Sequence, residues 1–118
     1  KKEIQWINID PCDSSPCTLT SDVMYELSVQ FKPTQNSDTV VFVGDVKYPD
    51  GQSFPLPNLD MCQQQSDLCP LKRNVITTAV YKALLPAVFP KSNNVNINMQ
   101  FIGDEGAVLC ANFTVNLA

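Results

Sequence analysis

The stretch VNINMQFIGDEGAVLCANFTVNL, residues 95–117, decides the fold. Val95, Ile97, Met99 and Phe101 alternate strictly with Asn96, Asn98 and Gln100. Beyond Gly103-Asp104-Glu105-Gly106, the residues Leu109, Ala111, Phe113, Val115 and Leu117 share one parity, and Asn112, Thr114 and Asn116 the other. Side chains of a strand point to opposite faces in turn, so a period of two marks a strand with one dry and one wet face. Two such strands joined by a short Gly- and acid-rich turn read as a β-hairpin, with Asp104 and Glu105 at its solvated tip.

The same period extends outward from this hairpin. Over residues 23–32 the odd positions are Val23, Tyr25, Leu27, Val29 and Phe31, while the even ones include Glu26, Ser28, Gln30 and Lys32. Over 39–47 the inward set is Val40, Phe42, Gly44 and Val46, because Asp45 and Lys47 take the other parity. Residues 75–84 form a further strand, on which Lys82 faces solvent; 4–9 and 52–56 are shorter ones, with Trp6 and Tyr48 in core or edge packing. Turns are expected at 33–38, 49–51, 57–70, 86–94 and 103–106. No helical apolar stripe of ten residues appears. About seven strands separated by proline-bearing turns read as one all-β sandwich domain over 1–118.

Composition removes whole classes of function. The formal charge of −4 argues against nucleic acid, which needs a basic face. The chain has no His, so it holds no Ser–His or Cys–His nucleophile pair and no His-ligated metal. No catalytic site, metal or cofactor is expected. The five cysteines sit as Cys12-x4-Cys17, Cys62-x6-Cys69 and a separate Cys110, spacings unlike those of zinc or redox motifs. They read as a disulfide framework of an oxidising compartment, with Cys12–Cys17 and Cys62–Cys69 as two short staples and Cys110 left over. Asn112-Phe113-Thr114 is an N-glycosylation sequon. No run of 18 apolar residues suggests a membrane span, and the sequence reads as mature chain.

The loops carry more apolar side chains than a closed sandwich needs. Pro55 and Pro57 flank Leu56, next to Phe54; Pro86 and Pro90 bracket Ala87-Val88-Phe89, next to Leu84 and Leu85. Such proline-pinned residues either fold over the ends of the core or rim a mouth leading between the sheets.

The Asp-Pro-Cys12-x4-Cys17 segment, Phe54-Pro55-Leu56-Pro57 before Cys62, Cys69-Pro70-Leu71-Lys72 and the late Cys110 together resemble the ML lipid-recognition family. They are most similar to arthropod members of its Niemann–Pick type C2 branch. The resemblance spans essentially the whole chain. It implies an immunoglobulin-like β-sandwich whose sheets part around an apolar cavity, binding lipid without chemistry. It implies a rim at Phe54, Leu56, Val88 and Phe89. Deeper positions fall at Tyr25, Leu27, Val29, Phe42, Val46, Leu85, Val95, Ile97, Met99, Phe101 and Phe113. The family carries six cysteines. Cys110 matches the one that pairs with a first cysteine on an N-terminal strand, and the resemblance implies that this sequence starts one strand late.

The function implied is a secreted, monomeric carrier of a fatty acid, sterol or semiochemical, handing it to a receptor or membrane acceptor. An endolysosomal lumen is the alternative location. A lipid-presenting co-receptor module is the alternative function. Burying about 300–400 Å² of apolar ligand surface yields roughly 8–10 kcal/mol before ordering costs. Micromolar affinity needs about 8 kcal/mol net, so partition into a dry slot suffices as a mechanism.

Overall fold

Among the described residues, the chain folds as eight strands in two facing sheets. A computed structural model describes residues 4–12, 16–84 and 89–118. The strands are β1 (Ile4–Asp10), β2 (Cys17–Leu19), β3 (Met24–Phe31), β4 (Val41–Lys47), β5 (Ser53–Asp60), β6 (Thr77–Leu84), β7 (Ser92–Gly103) and β8 (Gly106–Leu117). One sheet has the order β1-β3-β6 and the other β2-β8-β7-β4-β5. All pairings are antiparallel except β2 with β8.

The hairpin of β7 and β8 forms as the alternation requires, with Gly103 paired to Gly106. Gly106 takes φ +103°, a conformation that side-chain-bearing residues rarely adopt. A Cβ on Gly103 would lie 2.7 Å from Ser37 Oγ and 2.8 Å from Gln35 Oε1, so that position has no room for one. The tip is exposed but tethered. Asp104 Oδ2 accepts from the Asp38 N–H at 2.8 Å and Oδ1 from the Thr39 hydroxyl at 2.5 Å. The Asp104 and Glu105 N–H groups donate to Ser37 Oγ and Gln35 Oε1 at 2.8 and 2.9 Å. Gln35 and Ser37 are buried, and these bonds satisfy them.

Three features depart from the expected layout. The strand expected over 52–56 runs on to Asp60, through Pro57. Both of its prolines are tolerated because β5 is a sheet edge, where a missing N–H leaves no gap in a ladder. A single helical turn, α1 (Met61–Gln64), sits inside the stretch read as a turn; the Asp60 carboxylate caps it by accepting from the Cys62 and Gln63 N–H groups. The strand β2 was not expected, since three residues are too short for a period to register.

Trp6 lies on the edge strand β1 and is 43% exposed. A register shift between Ile4 and Trp6 turns Gln5 and Trp6 both outward and leaves Ile4, Ile7 and Ile9 facing in. Tyr48 is buried. Lys82 is solvent-facing and lies 3.9 Å from Glu26, its register partner across β3 and β6. Cys12–Cys17 and Cys62–Cys69 are bonded, and Cys110 is a free thiol.

Candidate functional site

The dry faces of the two sheets do not meet everywhere. At one end they pack solidly: Phe31 stacks edge-on against Phe101, which contacts Phe42, and α1 and its loop close over them with Met61, Leu68 and Leu71. Towards the other end they leave a cavity of about 240 Å³. Tyr25 and Leu27 of β3 and Tyr81, Ala83 and Leu84 of β6 form one wall. Facing them are Phe42 and Val46 of β4, Leu56 and Pro57 of β5, and Ile97 and Met99 of β7. Phe113 and Leu117 of β8 complete that wall, while Ile9, Leu19 and Phe89 close the sides.

Two of these lining residues, Leu84 and Pro57, are also exposed. They lie on β6 and β5, the edge strands of the two sheets, and so mark the opening. Leu84 is 52% exposed and its register partner Met24 is 54% exposed, which makes an apolar lip. On the opposite side Phe54 stands between Tyr48 and Phe89, with ring centroids 5.5 and 6.1 Å away. The Tyr48 hydroxyl donates to the Pro90 carbonyl at 2.7 Å and so holds the end of the loop that carries Phe89.

Among the described residues, no charged side chain lines the cavity. The reason is the strand period: Glu26 and Lys82 alternate with Tyr25, Leu27, Tyr81 and Ala83, and their parity sends them to the outer face. Two phenols supply the polar side-chain atoms of the lining. The Tyr25 oxygen accepts from the Thr20 N–H at 2.7 Å. Tyr81 stacks on Phe42 with centroids 5.3 Å apart, and burial pushes its phenol above the usual tyrosine range.

Of the residues expected to meet a ligand, the structure gathers Tyr25, Leu27, Phe42, Val46, Leu56, Phe89, Ile97, Met99 and Phe113 around the cavity. It places Val29 and Phe101 in the packed end, each 1% exposed, and Val95 in the buried cluster beneath the open end. These three have inward parity, but neighbours fill the space in front of them. Phe54 supports Phe89 from behind and is not part of the lining. Leu85 and Val88 lie outside the described residues. Ile9, Leu19, Pro57, Tyr81, Ala83, Leu84 and Leu117 also line the cavity but were not expected from the sequence; Tyr81, Ala83 and Leu117 carry the inward parity of their strands and were legible by that signal. Asn112 is exposed on the outer face of β8.

A second space, about 570 Å³, opens beside Cys110 between Ile4 and Ile7 and the polar side chains of Asp45, Asn98, Gln100 and Asn112. Asn98 already donates to Asp45 at 3.0 Å. Its mixed walls lack the continuous apolar surface that makes transfer from water favourable. The charge-free cavity is therefore the candidate site. Among the described residues, no group of His, Cys, Asp and Glu could hold a metal ion.

Comparison with known proteins places the chain in a family and a fold. The ML domain model matches residues 1–117. The mite group 2 allergen Der f 2 of Dermatophagoides farinae is 30% identical over 111 residues, covering 92% of this chain and 75% of that protein. The NPC intracellular cholesterol transporter 2 of Canis lupus familiaris is 28% identical over 106 residues, covering 86% and 67%. The crystal structure of a Niemann-Pick type C2 protein from Japanese carpenter ant superposes with a TM-score of 0.82 at 19% identity, over 98% of this chain and 91% of that one. That match shows a shared fold.

Proposed function

The chain belongs to the ML domain family, and from that premise we propose that it is a secreted, non-enzymatic carrier that holds a small lipid between its sheets. The observation that carries the reading is the cavity lined from both sheets by apolar side chains without a charge. Partition of an apolar ligand into such a slot needs no bond chemistry and no metal. The canine relative's name, which describes a cholesterol transporter, supports the lipid class. The two disulfides suit an oxidising, extracellular or lumenal compartment. In that compartment the exposed Asn112 would accept a glycan on the polar face of β8, away from the cavity.

Native mass spectrometry of the purified protein, before and after organic extraction, tests the reading. We expect a mass excess that extraction removes, and uptake of a fluorescent lipid by the extracted protein. A protein that carries nothing and takes up neither a fatty acid nor a sterol probe is not a carrier. Stable complex formation with a protein partner in the absence of lipid would favour the presenting module instead.

A further inference from the structure

Tyr81 stands apart from the other polar side chains of the sandwich interior. Tyr25 has its oxygen engaged by Thr20, Tyr48 donates to Pro90, and Gln35 and Ser37 are tied to the hairpin tip. Tyr81 lines the cavity, and its hydroxyl makes no hydrogen bond to another described residue. Its ring is fixed by stacking on Phe42, and its strand pairs it with Leu27. The phenol is thus held in place, partly dehydrated and unengaged. No buried side-chain N or O of the described residues lacks a partner, so the Tyr81 oxygen is open to water; a ligand oxygen would replace that water in a largely apolar setting, where a hydrogen bond is stronger than in bulk solvent.

The charges around it decide which oxygen. Among the described residues the cavity lining has no Lys or Arg, and the chain has no His. Lys82, next in sequence, faces the opposite side and lies 3.9 Å from Glu26. Phe42 and Met99 on the facing sheet and Leu27 on β3 are uncharged. An ionised carboxylate drawn inward would lose its hydration with no lining cation to compensate. An alcohol, ketone, aldehyde or ester oxygen loses far less and accepts one bond from the phenol.

We propose that the cavity selects an apolar ligand with a single uncharged oxygen function and that the Tyr81 hydroxyl is its hydrogen-bond anchor. The ligand then enters oxygen first, and its apolar body fills the space towards Leu84, Pro57 and Phe89. The 240 Å³ of empty space falls below the roughly 300 Å³ at which ordinary ligand pockets begin. A longer ligand therefore emerges between β5 and β6, covering the lip of Met24 and Leu84.

This inference rests on the carrier reading, and one assay separates the two. Displacement of a fluorescent naphthylamine probe is measured at neutral pH with dodecanol, dodecanoate and dodecane, for the parent and for Tyr81→Phe. The variant keeps the ring and its stacking on Phe42, and its thermal melt should match the parent's. We expect the parent to bind dodecanol at least tenfold more tightly than dodecanoate. Tyr81→Phe should weaken dodecanol about three- to tenfold, the value of one neutral hydrogen bond, and leave dodecane unchanged. If all three ligands bind but dodecanoate equals dodecanol, or Tyr81→Phe leaves dodecanol unchanged, the inference fails and the carrier survives. If none displaces the probe, the carrier reading fails and the inference with it.

Discussion

The two ends of the sandwich are built by the same alternation and come out differently. At the closed end Phe31, Phe42 and Phe101 meet across the sheets, and α1, Leu68 and Leu71 cover them. The Cys62–Cys69 staple and the hairpin clamp of Gln35, Ser37 and Asp104 tie that cover down. At the open end the smaller cluster of Val46, Tyr48, Val95, Val115 and Leu117 is not capped in the same way, and the edge strands β5 and β6 leave the cavity between them. The difference teaches that burial of a strand's dry face does not by itself make a site. A site arises where facing side chains fail to fill the gap and no loop seals it. Stability and binding should therefore separate along the length of the sandwich.

The separation can be broken most forcefully at the closed end. Phe101→Asp places an unpaired charge among fully buried rings whether or not ligand is present. It should cost more than about 4 kcal/mol and leave the protein unfolded or unexpressed. A soluble variant with a parental melt would mean that this end is not the structural core.

Phe89→Asp probes the open end with the same chemical change. Phe89 is half-buried, lines the cavity and is backed by Phe54, so water reaches the new charge until a ligand covers it. Lipid-probe affinity should fall about tenfold or more, while stability falls by only about 1 kcal/mol, a few degrees in the melt. Unchanged binding would move the mouth elsewhere. A melt as poor as that of Phe101→Asp would make the loop part of the core.

Asp104 gives the smallest effect and sharpens the closed end alone. Hydrogen bonds from the Thr39 hydroxyl and the Asp38 N–H hold its carboxyl below the usual carboxylate range. A carboxyl lowered in the folded state stabilises that state above its unfolded pKa, near 3.8, and loses this contribution as pH falls through the lower folded value. Asp104→Asn should therefore lower the melting temperature at neutral pH, and the two curves should converge in strong acid. Lipid binding at neutral pH should not change. A constant gap between the curves at every pH would remove the ionised carboxylate from the clamp.

Much of this was readable in advance because it depends on local rules. The strict alternation of 95–101 and 109–117 fixed the hairpin, its turn and the inward face. Short loops between the first four cysteines fixed two staples, and parity kept Glu26 and Lys82 off the inner wall. The residues could be sorted into inward and outward but not into packed and open. Val29 and Leu27 share a strand and a parity, yet one is sealed in the core and the other lines the cavity. That choice depends on what stands opposite across the gap, and the facing residues come from segments far apart in the chain. The extension of β5 through its prolines, the turn of α1 and the three-residue β2 depend likewise on a neighbouring strand or a capping carboxylate. So does the isolation of the Tyr81 hydroxyl. Period two told which way it points, but only the packed sheets left it without a partner.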